Sequence, residues 1–449
     1  MSLPGFRPNS SGGDAGGYRI AVFGAGYIGL VTGACFAKLG HQVVIRDIQE
    51  ERIDTLRSGG VPIHEEGLAE LIAENADRLT FTLDAAEAVR GAHVVYVCVD
   101  TPSTAAGDAD LSRIWQVIDS LRGADQLAAV VVKSTVPVGT GEQVRAALDR
   151  AGLQHVGYAS NPEFTAEGRA VHDFLHPDRV VIGSADPETA KLVTLLHEGV
   201  EGPEIVMDVA SAEMVKLAAN ALLAAKISFT NEIATVCETN GADVEQVVRA
   251  VGLDHRLGPH FMKAGVGWGG SCFPKDSRAL QAMANNGGYA FQMLRAVVDV
   301  NDLQPRRAIQ RLKDELGGAF HDLTVAVLGI AFKAGTDDVR EAPSTIIASR
   351  LVAEGATVRC WDPLARPLKT APWLSATRCA SPVEAMTGAD AAIIVTEWPE
   401  LLEVDWAGAA SAMARPLLFD GRNLLDPEQM GSLGFTYMSV GRTTVRASR

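Results

Sequence analysis

Very little in this sequence would tie the chain to a membrane, a polyanion or an oxidising compartment. Its 449 residues hold no apolar run near the roughly 20 that span a bilayer, and stretches such as Leu127–Val132 fall far short. Residues 1–17 (MSLPGFRPNSSGGDAGG) lack the apolar core of a signal peptide and read as a disordered tail. Positive charge is in deficit, with 40 Lys and Arg against 55 Asp and Glu and a formal net charge of −15. That balance excludes nucleic acid and anionic membrane as expected partners, because both are held by basic patches. The six cysteines (Cys35, Cys98, Cys237, Cys272, Cys360, Cys379) include no C-x-x-C pair, so no zinc knuckle or dithiol motif is expected, and no metal. Their scatter suits a reducing cytoplasm rather than a disulfide framework. What remains, 47% hydrophobic and 21% charged, is a soluble globular chain of two to three domains.

Glycine is dense in one place. Gly265, Gly267, Gly269 and Gly270 lead directly into Ser271-Cys272-Phe273-Pro274-Lys275-Asp276. Glycines this close together give the backbone access to positive φ and let it approach a ligand. The thiol that follows is flanked by a cation and a carboxylate, and a thiol attacks as its thiolate, which positive charge or a helix N-terminus favours. Cys272 is therefore a candidate nucleophile, with a buried structural cysteine as the bland alternative.

The first half reads as a nucleotide fold. The β-branched run Tyr18–Phe23 ends in Gly24-Ala25-Gly26-Tyr27-Ile28-Gly29, a helical pattern follows to Leu39, and a second strand, His41–Ile45, ends at Asp47. Strand, G-x-G-x-x-G, helix, strand and acid is the context a dinucleotide site requires. Gly24 permits the turn, Gly26 admits the pyrophosphate, Gly29 lets helix and strand pack closely, and Asp47 stands where a ribose-binding acid is expected. That favours NAD over NADP, although Arg46 and Arg52 keep NADP open. Ala92–Val99, Ala128–Val132 and His155–Ser160 read as further buried parallel strands, with polar groups at their carboxyl ends. After the last of these, Glu163 and Glu167 stand at i and i+4, a spacing that shares one face if the segment is helical.

Ser211–Asn240 reads as one long helix, capped by Ser211 or Asp208 and stopped by Asn240-Gly241. Met214, Leu217, Ala221, Leu222, Ala225 and Phe229 are its apolar residues, and Lys216 and Asn220 interrupt them on one face. An ammonium and an amide in so apolar a segment need partners or a ligand. Beyond residue 320 the first half is echoed in outline. Leu323–Phe332 echoes Tyr18–Tyr27, Gly355–Asp362 echoes Gly40–Asp47, and Gly388–Thr396 echoes Gly91–Thr101. The expected fold is therefore α/β, two Rossmann-like parallel-sheet domains joined by a long central helix and a helical dimerisation region. Its boundaries are a tail at 1–17, a cofactor domain at 18–208, a central helical domain at 209–316 and a second nucleotide-type domain at 317–449. Two such sheets imply a dinucleotide cofactor and a nucleotide-bearing substrate.

The motifs GAGYIG, CVDTP, KSTVPVGT, NPEFTAEG, PDRVVIG, KLAANA, GGSCFPKD, FKAGTDDVRE and FDGRN together resemble the UDP-glucose/GDP-mannose dehydrogenase family over nearly the whole chain after the tail. The resemblance implies NAD-dependent four-electron oxidation of a sugar C6 alcohol to a carboxylate, with UDP-glucose the preferred substrate. It implies that Cys272 is the nucleophile, Lys216 and Asn220 stabilise oxyanions, Asp276 assists proton transfer, Glu163 serves thioester hydrolysis and Thr135 orders the water. It further assigns Gly24, Gly26, Tyr27, Ile28, Gly29, Asp47, Arg52, Thr101, Thr135, Glu167, Lys275 and Arg340 to the cofactor. To the sugar nucleotide it assigns Glu163, Phe164, Lys216, Asn220, Arg256, Phe261, Lys263, Gly265, Gly269, Phe332, Lys333 and Arg422. Arg256 corresponds to an arginine supplied across a dimer interface, implying a homodimer or an assembly of dimers. Asp100 and Trp268 are local departures from the family pattern. Three other readings stay open: a GDP-mannose or other nucleotide-sugar dehydrogenase, a single-step hydroxyacid dehydrogenase of the 6-phosphogluconate type, and an NAD-binding redox sensor.

Overall fold

Strands rich in Val, Ile and Ala build two separate sheets, one before and one after a division of the chain at Ala218. The structure, a computed structural model, describes residues 17–124, 126–366 and 369–447. Apart from Gly17, the expected tail at 1–17 lies outside the described residues.

In the first unit β1 (Arg19–Phe23), β2 (Gln42–Arg46), β3 (Leu79–Thr82), β4 (Val94–Val97), β5 (Ala129–Val132), β6 (Gly157–Ser160), β7 (Val180–Gly183) and β8 (Glu204–Met207) pair in the order β3-β2-β1-β4-β5-β6-β7-β8. All neighbours are parallel except β6 and β7, which meet antiparallel at Ser160 and Gly183. The continuous apolar runs arise because both faces are covered. Ile20 and Val22 of β1 join one buried cluster, while Ala21 and Phe23 join another. The parallel order reverses between β1 and β4, the switch point where open α/β sheets bind ligands.

The second unit repeats this plan. Strands β9 (Thr324–Leu328), β10 (Thr357–Trp361), β11 (Thr377–Arg378), β12 (Ala391–Ile394), β13 (Leu417–Asp420) and β14 (Thr436–Ser439) pair in the order β11-β10-β9-β12-β13-β14, all parallel. The echo read from the sequence extends to hydrogen bonds. Gly24 N–H donates to Arg46 O and Gly329 N–H to Trp361 O, both at 2.8 Å. Ala25 N–H donates to Asp47 at 2.6 Å, and Ile330 N–H to Asp362 at 2.7 Å. The two acids then diverge. Asp362 also accepts from Ala331, Leu364 and Ala365 N–H and from the Trp398 indole, so its carboxylate is consumed by its own fold.

The long helix spans Val209–Asn240, starting two residues earlier than the sequence suggests because Asp208, not Ser211, caps it by accepting from Ser211 N–H at 2.8 Å. Its faces also differ from expectation. Glu213, Lys216, Asn220, Ser228 and Asn231 are buried, whereas Leu222, Phe229 and Val236 are 64%, 59% and 55% exposed. The polar row turns inward because each of its members finds polar partners there.

Replacing Asp362 by Asn would set an amide donor against the backbone donors that its carboxylate now accepts. We expect a fall in the urea midpoint equivalent to about 2–4 kcal/mol; an unchanged midpoint would contradict the role given to this carboxylate.

Candidate active site

The first unit carries a dinucleotide cradle. Gly24 has φ +106°, and a Cβ there would lie 2.4 Å from Cys98 O. A Cβ on Gly29 would lie 1.8 Å from Gly24 O, so helix and strand touch through it. A Cβ on Gly26 meets nothing within 4 Å, leaving its backbone open to a ligand. The helix Tyr27–Lys38 begins at Gly26 with no side-chain cap, so its first N–H groups point at the space a pyrophosphate would fill. Asp47 accepts from Ala25 and Gln49 N–H and pairs with Arg52 at 3.2 Å. Arg52 is thereby held on the acid. Ile28 is half-buried at the start of that helix, and Tyr27 donates its hydroxyl to His64 O and accepts from Gly168 N–H. Thr101 at the end of β4 donates to Thr135 O at 2.7 Å, tying two strand-end loops together. Asp100, the departure in CVDTP, forms a surface pair with Arg113. These residues fit NAD.

A charged cluster lies elsewhere in the same unit. Lys216 Nζ stands 2.7 Å from Glu163 Oε1, both side chains about 5% exposed. Glu163 Oε2 accepts from Thr165 N–H and Thr165 Oγ1, closing a local turn. This corrects the reading of Glu163 and Glu167 as neighbours on one helical face, since residues 161–166 are not helical and Glu167 lies in the turn that follows. Burial alone would raise the Glu163 carboxyl, but the charge and hydrogen bond of Lys216, with Thr165, outweigh it and hold the group below the ordinary carboxylate range. Phe164 lies 5.6 Å beneath Lys216 Nζ and is stacked by Arg179 at 3.8 Å on its ring. Lys133, wholly buried and with its ammonium disfavoured by that burial, donates to Asn161 Oδ1 two residues before Glu163.

Sequence reasoning missed Glu213. It accepts from Gly139 and Gly141 N–H at 2.8 and 2.7 Å, fastening the Thr135 loop to the helix that bears Lys216. Burial pushes its carboxyl up to about 7 against those two hydrogen bonds. The signal was an acid three residues before Lys216 on the same helical face.

The second unit contains the cysteine loop. Cys272 occupies the N-cap position of the helix Phe273–Asn286, and its Sγ lies 3.5 Å from Ser271 Oγ. Cys272 alone among the six thiols is partly exposed, while burial pushes Cys35, Cys98 and Cys360 up to about 12. Accessibility thus separates Cys272 from the inert cysteines. Asp276, 2% exposed, accepts from Asn220 Nδ2 at 2.6 Å and from Lys275 Nζ.

The glycines of the loop answer a need of the fold itself. Cβ atoms at Gly265, Gly267, Gly269 and Gly270 would come within 2.9, 2.9, 2.2 and 2.8 Å of Gly421 O, Asn301 Oδ1, Glu341 O and the Phe332 ring. On the Cβ side, each close approach is to the protein itself. Backbone groups are clamped in step. Gly265 N–H donates to Asn231, Val266 N–H to Gly421 O, Trp268 N–H to Asn301 and Gly270 N–H to Arg340 O, and Gly267 O accepts from Arg422. Asn301 was also missed; its signal was an amide in the buried row Leu294, Val297, Asn301, Pro305 of the helix Gln292–Glu315.

The remaining residues are less gathered. Arg422 also donates to Val395 O, Arg340 is held by Asp338, and Lys333 lies 5.7 Å over the Phe332 ring. Phe261 is 43% exposed at φ +62°, and Lys263 is exposed. Arg256 is exposed and folded back on Asp254.

Models of three domains of the UDP-glucose/GDP-mannose dehydrogenase family match the chain: the NAD binding domain at 18–201, the central domain at 210–303 and the UDP binding domain at 326–427. The chain is 45% identical over 446 residues to a UDP-glucose 6-dehydrogenase of Pseudomonas aeruginosa, covering 94% of this chain and 97% of that one. It is 42% identical over 436 residues to the UDP-glucose 6-dehydrogenase TuaD of Bacillus subtilis, covering 96% and 94%. Among solved structures, a UDP-glucose dehydrogenase from the archaeon Pyrobaculum islandicum superposes with a TM-score of 0.89 at 35% identity, covering 98% of this chain and all of that one.

Because Glu163 is depressed in the fold, its contribution to stability is present above about pH 4.5 and lost as pH falls through the folded value. Glu163→Gln removes the carboxylate from Lys216 and should cost about 3–5 kcal/mol at pH 7. Urea midpoints measured from pH 7 to pH 3 should show that gap closing towards acid; a constant gap would show the charge to be irrelevant.

Proposed function

The chain belongs to the UDP-glucose/GDP-mannose dehydrogenase family, and we propose that it oxidises UDP-glucose at C6 to UDP-glucuronate with two equivalents of NAD. The observation that carries this reading is Cys272, the accessible thiol at a helix N-terminus beside Lys275 and Asp276. NAD, held at the Gly24–Gly29 turn, supplies a hydride acceptor for each of two oxidations.

The side chains carry the rest. The C6 alcohol loses a proton and a hydride to become an aldehyde. The Cys272 thiolate adds to its carbonyl carbon, forming the C–S bond of a thiohemiacetal and retaining the aldehyde. Loss of a second hydride gives a thioester, and water then adds to that carbonyl, cleaving the C–S bond to release carboxylate and thiol. Asn220 and Lys275 hold Asp276, which moves protons at the alcohol and thiol. Lys216 supports developing oxyanions. Glu163, kept ionised by Lys216, accepts the proton of the attacking water, which Thr135 orders. Phe332, Lys333 and Arg422 serve the nucleotide end of the substrate.

We assign the assembly as a homodimer. The exposed residues Leu222, Phe229 and Val236 recur at seven-residue spacing along the long helix, which supports a partner helix along that stripe, and Arg256 serves the partner's substrate. The unbridged thiols support a reducing cytoplasm as the site of action.

NADH counted at completion against limiting UDP-glucose should reach two per sugar, and Cys272→Ser should lower turnover by at least about 10²-fold. One NADH per sugar would replace this reading with a single-step dehydrogenase, and near-normal turnover of the variant would remove Cys272 from the chemistry.

A further inference from the structure

Trp268 is the one aromatic side chain inside the run Gly265–Gly270. It is 8% exposed. Its indole Nε1–H donates to Ser228 Oγ at 3.1 Å, and Ser228 Oγ–H donates in turn to Val297 O at 2.8 Å. Its backbone is gripped on both sides by one amide, with N–H donating to Asn301 Oδ1 at 2.7 Å and O accepting from Asn301 Nδ2 at 3.0 Å. Its ring meets Phe273 edge to face, with centroids 6.0 Å apart at 85°. Phe273 follows Cys272 directly and is the first residue of the helix that the cysteine caps.

These contacts run without a break from two helices to the residue bonded to the nucleophile. A phenylalanine at 268 would fill the same apolar space but has no donor for Ser228. We propose that Trp268 is a positioning residue, whose indole, pinned to Ser228, braces Phe273 and so fixes where the Cys272 thiol stands. The inference rests on Cys272 being the nucleophile of the proposed reaction. Trp268 and the buried Val266 are the two side chains larger than hydrogen in the run Gly265–Gly270, and of the two only Trp268 carries a polar donor. Near-attack geometry is sensitive at this scale, because a displacement of about 1 Å costs on the order of 10²-fold in rate.

The test is a double-mutant cycle of Trp268→Phe and Ser228→Ala with two readouts. Each single variant should lower kcat with UDP-glucose and NAD by about tenfold, with both KM values within about twofold, and the double variant should be no slower than either single. The rate of Cys272 alkylation by iodoacetamide, followed by peptide mass at fixed pH, should change by at least about threefold in each variant. Unchanged kcat, multiplying losses in the double variant, or an unaltered alkylation rate would overturn the brace. If Trp268→Phe does not fold, Ser228→Ala alone decides by the same two readouts. A wild-type protein that leaves UDP-glucose untouched would refute the proposed substrate, while alkylation would still judge the brace.

Discussion

A charge removed from water must be given a partner, and that constraint shapes both units of this protein. Lys216 and Glu163 are almost wholly buried, and each is compensated for leaving water by the other at 2.7 Å, with Thr165 also donating to Glu163. Asp276 is buried on the same terms, with Asn220 and Lys275 as its partners. The long helix obeys this rule before it obeys hydrophobicity. Its polar row faces inward and much of its apolar row faces out. Buried pairs of this kind contribute little net stability, so their retention points to chemistry that needs charge held ready in a dry place.

The two sheets show how one plan serves two purposes. Both place a glycine of positive φ after the first strand and an acid after the second, and in each the residue after the glycine donates its N–H to that acid's carboxylate at nearly equal length. In the first unit Gly26 leaves open space and the helix start is uncapped, which suits a pyrophosphate. In the second, Asp362 is filled by five donors, so the same turn is a structural knot. A duplicated fold does not imply a duplicated site.

Much of this was legible beforehand because it rests on local rules. Strand runs, the G-x-G-x-x-G turn and the helix stop at Asn240-Gly241 depend on residues close in sequence. The inward row of the long helix was half legible, since Lys216 and Asn220 announced a face but not its direction. The partner of Lys216 was not legible, because Glu163 lies 53 residues away and its own turn hides it from any helical pattern. The cysteine loop was half legible for a related reason. Dense glycine signals close approach without naming what approaches, and here it is Glu341, Gly421, Asn301 and Phe332. Asn301 and Glu213 left only a faint mark, a polar residue on a buried helical face, which does not name the distant backbone groups that each one holds.

The central claim is that sugar carbon becomes bonded to Cys272 during turnover. The most direct measurement is mass spectrometry of Glu163→Gln, acid-quenched during reaction with UDP-glucose and NAD and digested with protease. Slowed thioester hydrolysis should leave an acyl adduct on the peptide containing Cys272, absent when NAD is omitted. Steady turnover with that peptide unmodified, or an adduct confined to another residue, would contradict the account.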